Sequence, residues 1–93
     1  MHTASVTLVV ATAIQHSVAL SWTDTDSGIT GYNAYRSNQS GSGYTKLNTL
    51  LITNTAYSDS TVQSGSTYYY VVTAVNSSGM ESGFSAAVQA IIL

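Results

Sequence analysis

Apolar and polar side chains alternate along most of this chain, and this period of two constrains its fold more than any other feature of the sequence. The clearest example is residues 17–22, where Val18, Leu20 and Trp22 alternate with smaller or polar side chains. A polar segment that ends in glycine follows at 23–28, as is typical of a turn. Alternation closed by a turn indicates a β-strand with one face buried and the other in water.

Six further stretches behave similarly and are rich in β-branched and aromatic residues. In chain order, the seven predicted strands are 6–10, 17–22, 32–35, 44–49, 55–58, 66–75 and 85–93. No stretch of the chain fits the apolar stripe of an amphipathic helix. Short strands that recur every ~8–12 residues are typical of an all-β sandwich. We therefore predict a seven-stranded antiparallel β-sandwich that forms a single domain over residues 1–93.

The same alternation predicts which side chains fill the core between the two sheets. Aromatic and aliphatic residues that share one parity within a strand are expected to face inward together. The predicted core consists of Leu8, Val18, Leu20, Trp22, Tyr32, Ala34, Tyr57, Val62, Tyr68, Tyr70, Val72 and Val88.

Charged side chains make up only 6% of the chain, and this composition excludes several kinds of partner. The 2 basic residues cannot neutralise a phosphate backbone, so we expect no nucleic-acid partner. No apolar run reaches the ~18 residues of a transmembrane helix, so we expect no membrane insertion. Hydroxyl and amide side chains are expected to hydrate the surface instead.

The sequence also offers little for catalysis or metal binding. The absence of cysteine excludes a disulfide scaffold, a thiol nucleophile and a cysteine-ligated zinc site. The 4 acids and 2 histidines are scattered over different segments, so no catalytic triad or ligand set is expected. Asp24 and Asp26 are spaced like the first ligands of a calcium loop, but Gly28 and Tyr35 stand where that loop needs further acids. We therefore predict a protein without metal or cofactor that is not an enzyme.

Five segments together resemble one known family. They are SVALSW (17–22), ITGYNAYRS (29–37), TAYSDS (55–60, followed by Val62), GSTYYYVVTAVN (65–76) and SGMES (78–82). In order and spacing they resemble the second, third, fifth and sixth strands of a fibronectin type III domain, and the loop after the sixth strand in bacterial members. Two departures are Ser64, where the family often has proline, and the missing proline residues of the first strand. The cysteine pair of immunoglobulin domains is also absent.

The resemblance implies an immunoglobulin-like sandwich with Tyr68 at its tyrosine corner, where the hydroxyl pairs with a backbone group near residues 62–65. It further implies a non-catalytic spacer and interaction module of a secreted or cell-surface bacterial protein with several domains. Such modules occur beside the catalytic and carbohydrate-binding domains of polysaccharide-degrading enzymes. On this interpretation the partners are neighbouring domains of the parent chain, and the domain itself is a monomer.

A direct binding role is the alternative interpretation. If the predicted core faces inward, the outward side of two neighbouring strands carries Tyr35, Tyr69 and Val71. These side chains would form an exposed patch suited to a polysaccharide or a protein partner. Met80, in the predicted loop 76–83, is a second candidate contact. Ordinary cross-strand pairing on a hydrated sheet accounts for the same pattern.

Overall fold

The structure is a computed structural model that describes residues 7–14, 17–24, 28–39 and 41–92, with the backbone alone described for 7–14. Seven strands form over these residues. They are β1 (Thr7–Ile14), β2 (Ser17–Thr23), β3 (Ile29–Ser37), β4 (Thr45–Lys46), β5 (Ala56–Asp59), β6 (Thr67–Asn76) and β7 (Val88–Ile91). The described part of the chain contains no helix, and thus none long enough to cross a membrane.

The strands form two antiparallel sheets, one in the order β1-β2-β5 and the other in the order β4-β3-β6-β7. The predicted fold class, a seven-stranded all-β sandwich, is therefore confirmed. The molecule measures 39 × 23 × 22 Å, and its first and last strands begin and end at opposite ends of the sandwich. Thr7 lies beside Thr23, whereas Ile92 lies beside Gly65 and Ser66 at the start of β6.

Four strands, β1, β3, β4 and β7, differ from the prediction by more than one residue at an end. β3 is longer than predicted and extends over Ile29–Ser37 instead of 32–35. β1 continues to Ile14 and pairs with β2 along this whole length, with one irregularity between Leu8 and Val10. β4 has only 2 residues, although the sequence predicts a strand over 44–49. The side chain of Asn48 explains the early end of β4, because its Oδ1 accepts the hydrogen bond of the Ala34 amide at 2.9 Å. A side-chain acceptor thus replaces the backbone carbonyl that a longer strand would supply.

The core lies between the sheets and is built from the inward-facing residues of five strands and the adjoining segments. Its buried members are Val18, Leu20, Trp22, Tyr32, Ala34, Val62, Tyr68, Tyr70, Val72, Ala74, Ala90 and Ile92. Two predicted core residues, Tyr57 and Val88, are half-buried and pack against this cluster. The side chain of the predicted Leu8 lies outside the described residues. Trp22 and Tyr32 meet edge to face across the sheets, with ring centroids 5.5 Å apart.

The expected tyrosine corner forms at the turn before β6. The backbone N–H of Gln63 donates a hydrogen bond to the Tyr68 hydroxyl at 3.1 Å. Gly65 adopts a φ of 81°, a left-handed conformation that favours glycine, and its N–H donates to the Ile92 carbonyl at 2.9 Å. The corner therefore ties the turn both to the core aromatic and to the end of β7.

The pairing of the chain after β6 contains a slip of two residues. Val75 pairs with Glu81, but Tyr70 pairs with Val88, so 5 residue steps along β6 face 7 steps on the opposite segment. Between these points, Ser82 and Ser85 each satisfy both backbone groups of one β6 residue. The amide of Ser82 donates to the Ala74 carbonyl and its Oγ accepts from the Ala74 amide, both at 2.8 Å.

Ser85 does the same for Val72, with both distances at 2.9 Å. In both cases the serine Oγ accepts the hydrogen bond that a backbone carbonyl of a regular neighbouring strand would accept. The amides at these two positions of β6 are therefore paired. The segment 82–87 can therefore leave regular strand geometry without exposing the centre of the sheet. This is why β7 begins at Val88 rather than at the predicted residue 85.

Candidate functional site

The candidate site lies on the outer face of the four-stranded sheet, the face directed away from the core. Cross-strand pairing brings Asn33 opposite Thr73 and Tyr35 opposite Val71 on this face, as the alternation predicts. However, Val71 is only 2% exposed, so the prediction that it contributes to an exposed patch is wrong. Thr73 is equally buried, which shows that the centre of this face is covered.

The cover is the segment that follows β6. The backbone of Glu81 lies at the far edge of β6, but its side chain reaches across that strand to residues of β3. Phe84 also reaches across, and its ring contacts those of Tyr35 and Tyr44. Alternation within a strand shows which side a residue faces, but not whether another segment lies over that side. The burial of Val71 follows from this segment.

The three rings form a surface that we call the aromatic ridge, consisting of Tyr35, Tyr44 and Phe84. The Phe84 ring centroid is 5.1 Å from that of Tyr35 and 5.3 Å from that of Tyr44, with interplanar angles of 59° and 60°. Tilted contacts at this distance are favourable for aromatic pairs. Phe84 nevertheless remains 56% exposed, and both tyrosines are half-buried. The ridge is thus held together internally while presenting apolar surface to solvent.

A carboxylate lies beside the ridge and accepts three hydrogen bonds at a single oxygen. Oε2 of Glu81 accepts from Asn33 Nδ2 at 3.1 Å, from the Tyr35 hydroxyl and from Thr73 Oγ1. Burial disfavours ionisation of Glu81, but the hydrogen bonds from Thr73 and Tyr35 hold its pKa below the ordinary value. The Asn33 hydrogen bond and the charge of Lys46 act in the same direction.

The pKa of Tyr35, the other member of this pair, shifts in the opposite direction. Burial, together with the hydrogen bond to the Glu81 carboxylate, raises the pKa of Tyr35 to about 12. At neutral pH the pair is therefore a phenol that donates and a carboxylate that accepts. Such an arrangement fixes the ring of Tyr35 in place and leaves Glu81 as an ionised acceptor at the rim of the ridge.

The other two predicted binding residues lie apart from the ridge. Tyr69 is half-buried and its hydroxyl accepts a hydrogen bond from Gln89 Nε2 at 3.2 Å. Met80 is 48% exposed at the tip of the loop after β6. Its amide donates to Asn76 Oδ1 at 3.0 Å, which fixes the loop but leaves the methionine side chain at the surface.

The structure therefore places the rings of Phe84 and Tyr44 beside Tyr35, while Val71, the cross-strand partner of Tyr35, is buried and contributes no exposed surface. Sequence reasoning missed Phe84, the only phenylalanine of the chain, because it stands in the polar segment ESGFS outside any alternating run. The signal that could have drawn attention to it is this isolation, since a large apolar residue in a polar loop is either exposed or covers a neighbour.

A second polar cluster joins the two sheets on the opposite, core-directed face of β3. Asp59 of β5 is only 3% exposed, and its Oδ2 accepts from Arg36 Nη1 at 2.9 Å and from the Tyr70 hydroxyl at 2.8 Å. Its Oδ1 accepts from the amide and the hydroxyl of Thr61 at 3.1 and 2.6 Å. The Arg36 guanidinium lies 4.8 Å from the centroid of the Tyr68 ring. One carboxylate thus connects β5 with β3 and β6.

The protonation states of this cluster follow from its contacts. Burial disfavours the charged form of Asp59, but the hydrogen bonds from Thr61, Tyr70 and Arg36 outweigh it and lower its pKa. Burial and the adjacent Asp59 carboxylate raise the pKa of Tyr70 above its ordinary range. The cluster is therefore an ionised carboxylate satisfied by neutral donors and one cation, which suits a structural role.

Neither cluster has the ligand set of a metal site. Within the described residues, no group of three or more histidine, cysteine, aspartate or glutamate side chains comes together. Both histidines, His2 and His16, lie outside these residues. The aromatic ridge instead combines exposed apolar rings with hydrogen-bonding groups, which is the chemistry of a contact surface.

Comparison with known proteins places this geometry in a family. No family model matches the sequence. However, the chain is 42% identical over 77 residues to an amylopullulanase from Thermoanaerobacterium thermosulfurigenes, a match that covers 83% of this chain but 4% of that protein. A similar match of 43% identity covers 6% of the amylopullulanase from Thermoanaerobacterium saccharolyticum. The chain therefore spans only a small fraction of the curated relatives it matches.

A solved structure matches along almost its whole length. The chain is 34% identical to an Fn3-like protein from Clostridium thermocellum, with a TM-score of 0.77 and coverage of 95% of this chain and 92% of that one. The two-sheet topology and the tyrosine corner described above agree with this likeness. The chain belongs to the fibronectin type III family.

Proposed function

We propose that this chain is a non-catalytic accessory domain of a bacterial polysaccharide-degrading enzyme, in which it separates and contacts neighbouring domains. The observation that carries the proposal is the match at 42% identity to a stretch that makes up 4% of a much longer amylopullulanase. An accessory domain of an exported enzyme would act outside the cell or at the cell surface. Its first partners would be the domains on either side.

The shape of the sandwich supports a spacer role. Because β1 begins at one end and β7 ends at the other, neighbouring domains joined at these ends would be held apart along the 39 Å axis. The all-β fold also resists bending, since its two sheets share one core and are joined by the Asp59 cluster.

Deletion of this domain from a parent enzyme tests the proposal. We expect kcat on a short soluble oligosaccharide to stay within about twofold of the intact enzyme, because no group of this domain takes part in the chemistry. Activity on the intact polymer, or the thermal stability of the adjoining domain, is expected to fall. A loss of kcat on the short oligosaccharide larger than about tenfold would contradict a non-catalytic role.

Direct binding of polysaccharide is the second candidate function, and the exposure of Phe84 favours it. An exposed aromatic ring offers the apolar faces of sugars a stacking surface, and the ionised Glu81 beside it can accept hydrogen bonds from hydroxyl groups. The surface that would bind is the aromatic ridge, in place of the Tyr35, Tyr69 and Val71 patch expected from the alternation. A protein partner would use the same exposed ring.

We expect Phe84→Ala to weaken retention on insoluble starch about two- to tenfold, which corresponds to the loss of one aromatic contact. Affinity electrophoresis in starch-containing gels measures the effect. Leu50→Ala provides a matched control, since Leu50 is 82% exposed and lies outside the ridge. Equal, measurable retention of Phe84→Ala and the unaltered domain would refute binding through the aromatic ridge, and no retention of either would refute direct binding to starch. Neither result would contradict the accessory role.

A further inference from the structure

A groove opens at the end of the sandwich where β3 meets the turn to β4. It has a volume of about 250 Å³ and is lined by Arg36, Ser37, Asn38, Gly43, Thr45, Leu47 and Tyr68. Pockets that hold drug-sized molecules measure ~300–1,000 Å³, so this groove suits a smaller unit such as a single sugar ring. It is separate from the aromatic ridge, because Arg36 and Tyr68 face the core side of the sheet and Tyr35 faces the outer side.

The walls of the groove are held in position by the protein itself. Nη1 of Arg36 donates to Asp59 Oδ2 and, at 2.7 Å, to Thr61 Oγ1. The Tyr68 ring beneath the guanidinium is fixed by the bond from the Gln63 amide to its hydroxyl. Because these side chains are already ordered, they lose less conformational entropy when a ligand binds.

The turn that forms the rim is also ordered by a side chain of the groove. Ser37 Oγ donates to the Ser42 carbonyl and accepts from the Gln39 amide at 2.9 Å, so one hydroxyl closes the turn from both sides. Gly43 adopts a φ of 74°, and a Cβ at this position would lie 3.4 Å from the Ser37 hydroxyl oxygen. The backbone therefore stays close to the strand, and the groove remains open above it.

The charge of the groove favours a neutral ligand. Among the described residues that line it, Arg36 alone is formally charged, and its charge is compensated by the buried Asp59 at 2.9 Å. Within the described residues, all hydrogen bonds of the Arg36 guanidinium are made by Nη1, which leaves the donors of its other nitrogens for a ligand. Asn38 and Thr45 add exposed groups that both donate and accept, and Leu47 supplies an apolar wall.

We propose that this groove binds one neutral pyranose unit of a polysaccharide, with Arg36, Asn38 and Thr45 bonding its hydroxyl groups and Leu47 contacting its apolar face. The choice of a sugar over another neutral polyol rests on the accessory function proposed above. A ring of this size at ordinary ligand efficiency binds with a Kd on the order of 1 mM. Such weak binding suits a module attached to an enzyme that already holds the polymer.

Nuclear magnetic resonance of the ¹⁵N-labelled domain, titrated with maltose or with inorganic phosphate, tests the proposal. We expect maltose to shift the backbone amides of Asn38, Gly43 and Thr45 and the Nε–H of Arg36, and phosphate to leave them unchanged. Asn38→Ala and Thr45→Val are expected to weaken the maltose response about five- to tenfold, the effect of one lost hydrogen bond. Asn54→Ala and Thr53→Val are matched controls at exposed positions outside the groove.

Three results would overturn the proposal. Phosphate could shift the groove signals in place of maltose, which would make the groove an anion site. Maltose could shift no groove signal, or shift them equally in the unaltered domain and in both groove variants. If maltose instead shifts Tyr44 and Phe84 alone, the groove proposal fails while direct binding through the aromatic ridge stands. Conversely, a maltose response confined to the groove residues would support the groove proposal and contradict binding through the aromatic ridge.

Discussion

Truncation of Trp22 to alanine is expected to cost about 3–5 kcal/mol of folding free energy, a large part of the ~5–15 kcal/mol that stabilises a domain of this size. Trp22 is 2% exposed and occupies the core where β2 faces β3. Its removal would leave a cavity and would abolish the edge-to-face contact with Tyr32. Because Trp22 is the only tryptophan, urea unfolding should be followed by far-ultraviolet circular dichroism instead of fluorescence.

The conservative variant Trp22→Phe is the control for this experiment. Within the described residues, the buried Nε1 of Trp22 has no hydrogen-bond partner, so phenylalanine sacrifices no hydrogen bond at this position. It also retains an aromatic edge toward Tyr32. We therefore expect a smaller loss than for alanine, by about 1–2 kcal/mol or more. Equal losses for the two variants would show that ring packing is not what Trp22 contributes.

Replacement of Asp59 by alanine is expected to cost about 3 kcal/mol. The change removes the shared acceptor of Arg36, Thr61 and the buried Tyr70, and breaking a buried ion pair costs ~3–5 kcal/mol. The lower end of this range applies because Arg36 keeps 26% of its side chain exposed and can recover hydration. Urea unfolding measures the loss. Glu81→Ala serves as the comparison, since that carboxylate accepts as many side-chain donors but lies at the surface.

The pH dependence of stability isolates the charge of Asp59. Because its pKa is lowered in the folded state, its contribution is complete above the unfolded-state pKa of about 3.9 and is lost as pH falls through the lowered value. Asp59→Asn lacks this titration but retains the shape of the side chain. The difference in stability between the unaltered protein and Asp59→Asn should therefore shrink as pH decreases below about 4. A difference that stays constant over this range would contradict the assignment.

The fold could be predicted from the sequence because the two faces of a strand such as β2 have different surroundings. Val18, Leu20 and Trp22 alternate with side chains that face away from the core, and each of these apolar residues is buried as predicted. The tyrosine corner was equally accessible, since Tyr68 and Gly65 stand at the spacing the family resemblance requires. These features depend on residues close together in the chain.

The features that the sequence did not predict depend on contacts between distant residues. β4 stops after Lys46 because the side chain of Asn48 bonds to the Ala34 amide, a contact that no alternation records. Likewise, the aromatic ridge exists because Phe84 crosses over β6 to Tyr35, which buries Val71 beneath it. Alternation in the sequence predicts which side of a sheet a residue faces, whereas contacts with loops determine whether that side is exposed.

The slip of two residues between Glu81 and Val88 has a consequence for how this domain can vary. Because the extra residues are even in number, Val88 lies opposite the inward-facing Tyr70 with the same parity that Ser82 has opposite the inward-facing Ala74. Adding or removing residues in pairs would preserve this parity, whereas a single insertion would turn every later side chain of β7 to the wrong face. The serine hydroxyls already close the hydrogen bonds of β6 at this point. The segment around Phe84 is therefore a position where evolution or a protein engineer can exchange surface-recognition sequences while the sandwich beneath stays unchanged.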